Sequence, residues 1–405
     1  MKILFLHRNF PGQFKFLAEE LAKDTNNQVI FITNNDTIKS YSGIKKITYK
    51  LKRLVPINCH NYLRFYEESV NHGQAAAQVM LKLKKEGFIP DVIYGHSWGA
   101  SLFVKEVFPD VPYIAYLEWF YNAEGADVGF NGEPVTIDTK ARLKCKNSHI
   151  LQDLINCDIG ISPTQWQKSQ FPKEFQYKIK VIHEGVDTNI CKPDNNAQLY
   201  IKDKNIILTK NDEVLTYATR GMEEYRGFPE FMKAASVLQK IRPNLHVVIG
   251  GEDRVCYGKH LINDTFKNKM LRELPFDMSR LHFVGNLPYD EYIKLLQVST
   301  VHTYLTYPFV LSWSLLEAMS VGCCILASKT APVEEVIKHN YNGILTDFYD
   351  IAKMVEEIIK IFTNYDAYTD IRNNARETIK KFYNKETLVK KQIEILNNIT
   401  SGIGY

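Results

Sequence analysis

The segment from Tyr307 to Ile337 combines a carboxylate, a helix start and two strand ends. Residues 312–320 are predicted as a helix between two short buried strands at 303–306 and 323–328. In such units a ligand binds at the carboxyl ends of the strands, where backbone N–H groups at the helix start favour a diphosphate. Glu317 lies about one helical turn further along and could accept hydrogen bonds from ribose hydroxyls. This chemistry suits a nucleotide sugar.

Two arginines could supply positive charge to the same diphosphate. Arg220 and Arg226 flank G-M-E-E-Y directly after the first strand predicted in the second half of the chain. Both guanidinium groups can therefore reach the carboxyl edge of that sheet. Two arginines six residues apart are also common as plain surface charge. Their position relative to the Glu317 segment favours the phosphate-binding role.

Short apolar runs alternate with helical patterns along the whole chain, which predicts parallel sheets with helices on both faces. A chain of 405 residues with 45% apolar side chains is long enough to bury two cores. Turn-forming residues concentrate in 185–205, so we predict an N-terminal domain at 1–190 and a C-terminal domain at 206–383. The final segment, 384–405, is predicted to contain an amphipathic closing helix.

Composition narrows the class of protein. The formal charge of +4 is far below the basic excess of a dedicated nucleic-acid binder. Seven scattered cysteines without a C-x-x-C argue against a disulfide framework or a zinc site. No apolar run is long enough for a membrane span or a signal sequence, so we expect a cytoplasmic protein. Lysine clusters at 45–53 and 82–85 are either solvated surface or a contact with an acidic acceptor or with anionic lipid, the latter as a peripheral contact with the inner face of a membrane.

The donor segment carries a resemblance to a known family. L-L-E-A-M-S-V-G at 315–322, followed by an apolar strand and P-V-E-E-V-I, resembles the donor-site signature of retaining family-4 glycosyltransferases. The resemblance implies the GT-B fold, an α/β architecture of two Rossmann-like domains with parallel sheets facing across a cleft and a last helix that crosses back to the first domain. The arginine pair resembles the family's R-x(4 or 5)-K-G pattern, with Arg226 in place of its Lys. A second Glu usual in the family is replaced by Phe309.

Three further segments resemble a bacterial subgroup of this family: N-F-P-G-Q-F at 9–14, S-P-T-Q-W-Q at 162–167 and V-I-H-E-G-V-D-T at 181–188. Gly12 would let the backbone approach a phosphate or sugar closely. Without the resemblance, Pro11 and Gly12 would be interpreted as an ordinary turn between a strand and a helix.

A second carboxylate follows a predicted strand of the first domain. Y-L-E-W-F-Y at 116–121 places Glu118 among aromatic residues, whose faces stack on sugar rings. A segment of this kind, followed by G-A-D-V-G-F with Asp127, resembles the same subgroup. We therefore predict that Glu118 lies near the reacting sugar or the acceptor hydroxyl. The alternative is a strand-end Glu at the fringe of an aromatic core.

A rival pattern is G-H-S-W-G at 95–99, a literal G-x-S-x-G after a predicted strand and before a predicted helix. This context is the one required of a hydrolase nucleophile elbow, with Ser97 as nucleophile. No separate acid partner stands out in the sequence. In the transferase interpretation, His96 and Ser97 instead lie on the acceptor side together with Asp127.

The resemblance, together with these residues, implies a hexosyltransferase that moves a sugar, with retention, from a UDP or GDP sugar to a glycan or lipid-linked acceptor in bacterial cell-surface polysaccharide synthesis. No D-x-D or H-E-x-x-H is present, so neither a metal nor a cofactor is expected. The predicted catalytic residues are Arg220, Arg226 and Glu118. The predicted donor-binding residues are Gly12, Gln13, Gly251, Val284, Leu311, Ser312, Trp313, Ser314 and Glu317. The alternatives are a nucleotide-sugar epimerase or hydrolase on the same frame, or a binding protein without activity.

Overall fold

The computed structural model describes residues 1–402 and divides into two compact units. Unit 1 consists of Met1–Gly185 and the chain from Lys385 onward, and unit 2 consists of Val186–Asn384. The chain therefore leaves unit 1 once and returns to it.

Unit 1 is built on a parallel sheet with its first strand near the middle. Among the described residues, its seven strands run in the order β3-β2-β1-β4-β5-β6-β7. All neighbouring pairs are parallel. The strands are β1 (Lys2–Leu6), β2 (Gln28–Thr33), β3 (Ile44–Thr48), β4 (Val92–His96), β5 (Tyr113–Tyr116), β6 (Ile159–Ser162) and β7 (Ile179–Val181). The parallel α/β architecture predicted from the sequence is confirmed.

Helices cover both faces of this sheet, so its central strands are buried almost throughout rather than on one face only, whereas the edge strand β3 is not. Side chains of β1 alternate between the two faces: Leu4 and Leu6 belong to one core, Ile3 and Phe5 to the other. The helices of this part of the chain are α1 (Lys15–Lys23), α2 (Arg64–Lys85), α3 (Val104–Val107), α4 (Ile137–Lys146), α5 (Ser148–Asn156) and α6 (Gln165–Ser169).

Unit 2 contains a second parallel sheet and a small antiparallel pair. In the part of the chain that the structure covers, its six parallel strands run in the order β12-β11-β10-β13-β14-β15, and β8 pairs with β9. The strands are β8 (Leu199–Ile201), β9 (Ile206–Leu208), β10 (Val214–Gly221), β11 (His246–Glu252), β12 (Leu281–Gly285), β13 (Val301–Tyr304), β14 (Cys324–Ser328) and β15 (Ile344–Thr346). Much of the predicted linker at 185–205 is thus structured, because Leu199 and Ile201 are buried in the core of unit 2.

The helices of unit 2 are α7 (Phe228–Ile241), α8 (Phe266–Glu273), α9 (Tyr289–Val298), α10 (Trp313–Val321), α11 (Ala331–Glu334), α12 (Ile351–Thr363) and α13 (Thr369–Phe382). The closing helix α14 (Lys385–Thr400) then packs on unit 1. Its Val389 and Leu396 are buried in the same core as Ile3 and Phe5. The predicted return of the last helix to the first domain is confirmed.

Within residues 1–402, no helix combines the length and the apolar character needed to cross a bilayer.

Candidate functional site

The carboxyl ends of β10 and β13 meet the start of α10 in unit 2. A cavity of about 10 Å³ lies there, lined in part by Thr219, Arg226, Thr303, Ser312 and Ser314. This volume holds about one water molecule. A nucleotide would therefore have to bind on the open surface beside the cavity or after local rearrangement.

Arg226 holds together the loop that leads into α10. Its guanidinium Nη1 donates to Thr306 Oγ1 at 2.8 Å, to the Val310 carbonyl at 3.0 Å and to the Tyr304 hydroxyl at 3.4 Å. The residue is only 7% exposed, and its guanidinium carbon lies 5.2 Å from the centre of the Tyr257 ring. Arg226 therefore shapes this edge of the sheet from within, in addition to placing a positive charge there.

Arg220 is arranged differently. It stands near the end of β10 and is exposed. No hydrogen bond or ion pair joins its guanidinium to another residue in 1–402. Its five N–H donors are therefore available to an anionic ligand at this edge.

The start of α10 is well defined. Ser312 is the N-cap, its Oγ accepts from the Ser314 N–H at 3.4 Å, and its own N–H donates to the Tyr304 hydroxyl at 2.9 Å. Leu311 is buried, whereas Trp313 is 43% exposed. The first turn of the helix is thus fixed in place, with its N–H groups at the carboxyl edge of the sheet.

The Glu317 carboxylate is positioned by two tyrosines of α9. Its Oε1 accepts from the Tyr289 hydroxyl at 2.8 Å and its Oε2 from the Tyr292 hydroxyl at 3.0 Å. Burial and the Glu317 charge raise the pKa of both phenols, so both remain donors. Sequence reasoning missed this pair, although a spacing of three places both tyrosines on one helix face.

The position of the missing second Glu is filled by an aromatic cluster. Phe309 is buried, its ring edge meets Tyr225 with centroids 5.6 Å apart, and its centroid lies 5.2 Å from that of Tyr257. Glu223 fixes the loop that carries Tyr257, because its Oε2 accepts from the N–H groups of residues 256–258 at 3.1, 2.8 and 3.0 Å. The sequence patterns did not predict this role of Glu223. Aromatic packing thus replaces a carboxylate at this point of unit 2.

Gly251 and Val284 stand near the ends of neighbouring strands β11 and β12. Gly251 has a φ of +126°, and a Cβ on it would lie 2.0 Å from the Thr219 carbonyl oxygen, so only glycine fits. Val284 is half-buried and packs on the core of unit 2.

In unit 1, a chain of hydrogen bonds leads from β1 to Glu118. The Asn9 N–H donates to His7 Nδ1 at 2.8 Å, which leaves the proton of the neutral ring on Nε2. His7 Nε2 then donates to Gln13 Oε1, and Gln13 Nε2 donates to Glu118 Oε1, both at 2.8 Å. Burial lowers the pKa of His7 to about 4, consistent with a neutral ring. The sequence singled out Gln13 and Glu118 but missed His7, which links them to the first strand.

Gly12 packs directly against this network. Its φ is +55°, and a Cβ on it would lie 2.7 Å from His7 Nε2. His96 is fully buried between the rings of His7 and Trp98, with centroids 4.5 and 4.4 Å away, and its Nε2 lies 3.9 Å from Glu118 Oε2. His96 thus lies against the same carboxylate that Gln13 binds.

The two remaining acceptor-side residues are also buried. Ser97 is 1% exposed and begins a series of turns that reaches Phe103, so the next helix, α3, starts only at Val104. This differs from the immediate strand-turn-helix geometry of a nucleophile elbow and weakens the hydrolase alternative. Asp127 is 4% exposed, and its charge acts on Lys146.

Buried histidines predict acid sensitivity. Burial lowers the pKa of His72, His149 and His183 to about 3. In the unfolded chain these rings titrate near 6.5. Because the folded pKa is the lower one, their contribution to stability is present above pH 6.5 and is lost as the pH falls towards 3. Asp153, whose pKa burial raises to about 7, acts in the opposite direction.

We therefore expect the free energy of unfolding, measured by urea denaturation, to decrease between pH 6.5 and pH 4. His149→Phe removes one such buried ring. The variant should reduce the slope of the unfolding free energy against pH by up to about 1.4 kcal/mol per pH unit. An unchanged slope would show that folding does not shift the pKa of His149.

Among the residues described, no group of three or more His, Cys, Asp or Glu side chains is arranged to hold a metal ion.

Two family models match this chain. "Glycosyl transferase family 4 group" matches residues 25–191, and "Glycosyl transferases group 1" matches residues 201–378. A curated relative, the uncharacterized glycosyltransferase MJ1069 of Methanocaldococcus jannaschii, is 29% identical over 122 residues. That alignment covers 30% of this chain and only 31% of the relative.

Solved structures share the fold over nearly the whole chain. HepE of Anabaena, in complex with UDP, has a TM-score of 0.70 at 16% identity and covers 98% of this chain and 100% of its own. Sucrose-phosphate synthase of Thermosynechococcus elongatus has a TM-score of 0.74 at 14% identity and covers 99% of both chains. A glycosyltransferase of Rickettsia africae has a TM-score of 0.66 at 16% identity and covers 98% of both chains. With a glycosyltransferase family model in each half and this shared architecture, the chain belongs to the glycosyltransferases of the GT-B fold.

Proposed function

We propose that this protein transfers a hexosyl group from a uridine-diphosphate sugar to a saccharide-containing acceptor. The observation that carries the proposal is the carboxyl edge of the unit 2 sheet. Arg220, which has no partner among residues 1–402, lies there at the end of β10, and α10 brings its capped start and the oriented Glu317 carboxylate. A diphosphate matches the guanidinium and the helix N–H groups, and ribose hydroxyls match the carboxylate. The UDP and UDP-glucose complexes of HepE support uridine as the base.

The transfer proceeds with retention and without a metal. Arg220, the helix start and the charge of Arg226 stabilise the negative charge that grows on the departing diphosphate. This interaction is stronger in the transition state than in the bound substrate, so it raises turnover. The leaving phosphate accepts the proton of the acceptor hydroxyl, which removes the need for a pair of catalytic carboxylates.

Unit 1 supplies the acceptor side of the reaction. Glu118, held by Gln13 and lying against His96, is suited to bind sugar hydroxyls. The acceptor is a glycan or a lipid-linked glycan, and the resemblance to a bacterial subgroup favours a role in cell-surface polysaccharide synthesis. The chain works in the cytoplasm, with peripheral contact at the inner face of the membrane.

Nucleotide binding tests the donor side directly. Titration of the protein with UDP, UDP-glucose, GDP and ATP in a thermal-shift assay should raise the melting temperature most with the uridine nucleotides. Glu317→Gln should reduce this shift because the ribose loses a charged acceptor.

The matched control is Glu377→Gln, which makes the same change on α13 at an exposed ion pair with Lys380. It should leave the shift intact. No shift with any nucleotide would refute the donor assignment. Equal thermal shifts of the two variants would show that Glu317 does not bind the ribose.

A further inference from the structure

One cavity of unit 1 has no role in the function proposed so far. It has a volume of about 610 Å³ and lies between the segment after β3 and the helices α2 and α4. This volume is in the range of small-molecule binding sites. Because α2 precedes β4, its first turns lie at the carboxyl edge of the parallel sheet, where ligands bind in folds of this class.

The charges on its wall leave a positive excess. Arg64, Glu68, Asp138 and Arg142 all line the cavity. The Glu68 carboxylate is already paired with Arg8, whose Nη1 lies 3.1 Å away and is not part of the lining. The lining therefore retains two arginines and one further acid, Asp138. Across the described chain, Arg142 is exposed and its guanidinium forms no hydrogen bond or ion pair.

A buried donor at the same wall has no acceptor among residues 1–402. Asn71 lines the cavity and is 7% exposed. Its Oδ1 accepts from Arg53 at 3.2 Å, whereas its Nδ2 has no hydrogen-bond partner in 1–402. An unmet buried N–H costs free energy, so an acceptor oxygen entering the cavity would be stabilised there.

The rest of the wall is apolar. Leu54 is 78% exposed and Phe65 is 43% exposed, and both line the cavity together with Leu51 and Val55. Such surfaces pack on the C–H faces of sugar rings, and Phe65 offers a ring for stacking. Arginines beside apolar surface match a sugar ring that carries an acidic group.

We propose that this cavity binds an acidic saccharide, a sugar bearing a carboxylate or a phosphate. The inference rests on the proposed function in one respect: the saccharide is taken as the acceptor of the transfer. The position supports this. Arg8, which holds Glu68 at the cavity wall, directly follows His7, from which the hydrogen bonds run to Glu118.

Binding of three probes to the full chain, measured by calorimetry in the presence of UDP, tests the inference. The probes are trigalacturonic acid, glucose 6-phosphate and the neutral maltotriose. At least one anionic probe should bind about tenfold more tightly than maltotriose, and the stronger of the two identifies the acidic group. Arg142→Ala should weaken that binding about tenfold, the loss expected for one charge-assisted contact.

The matched control is Lys144→Ala, which removes one exposed positive charge from the same helix outside the cavity lining. It should change binding by less than twofold. Equal binding of all three probes, no binding of either anionic probe, or equal effects of the two variants would overturn the inference. The thermal shift caused by UDP distinguishes a failure of this inference from a failure of the proposed function. If only the saccharide inference is wrong, UDP should still raise the melting temperature, and it should do so equally in Arg142→Ala.

Discussion

Replacing Arg220 with alanine should lower the turnover of UDP-glucose by two to three orders of magnitude, about the loss seen when one donor to a developing negative charge is removed. Folding stability should change little, because the side chain is exposed and has no partner among residues 1–402. UDP release under saturating donor measures the first quantity, and urea denaturation measures the second. Arg220→Lys should recover part of the turnover, since it keeps the charge and loses the fork of the guanidinium.

Arg272→Ala is the matched control. Arg272 is an exposed arginine of unit 2 whose guanidinium is paired with Asp264 on the surface. A surface pair contributes about 0 to 1 kcal/mol to stability and should contribute nothing to turnover. If Arg220→Ala retains the turnover of the control, Arg220 has no role in stabilising the departing diphosphate.

Arg226 would be a less informative site for the same experiment. Three hydrogen bonds from its Nη1 end inside unit 2, so alanine there would leave buried acceptors without a donor and disturb the start of α10. The sequence placed both arginines at one edge of the sheet. Only the structure distinguishes the exposed one from the one that holds the loop.

The donor segment was predictable because its pattern is local. The helix expected at 312–320 is observed as Trp313–Val321, with Ser312 as its cap. The strand expected at 303–306 is instead Val301–Tyr304. Leu305 and Thr306 are buried although they lie beyond the end of the strand. The pattern therefore indicated which residues are buried, but not where strand pairing ends.

Other elements were missed for physical reasons. β3 has the sequence I-K-K-I-T and lies at the edge of its sheet, where lysines reach solvent and weaken the apolar signal. The contacts of Glu317 with α9 and of Glu118 with Gln13 join residues 25 to 105 positions apart. Spacing in one sequence carries no information about pairs at such separations, whereas it does for neighbours on one helix.

Glu118→Gln should reduce transfer at least a hundredfold if the carboxylate binds the reacting sugar or the acceptor hydroxyl through its charge. Gln13→Ala should reduce transfer about tenfold, because Glu118 Oε1 loses the amide that donates to it at 2.8 Å. UDP release from UDP-glucose, with and without added saccharide, measures both effects. Gln176→Ala is the control: this amide also belongs to unit 1 and donates to the Phe171 carbonyl instead.

The double variant decides how Gln13 acts. If Gln13 works by orienting the carboxylate, then Gln13→Ala added to Glu118→Gln should cost little more than Glu118→Gln alone, because the group being oriented has already lost its charge. Additive losses would mean that Gln13 contacts the substrate independently. The same test applies to His7, because its Nε2 donates to Gln13 Oε1. His7→Phe removes that donor and should therefore lower transfer in the wild-type background and have little effect in the Gln13→Ala background.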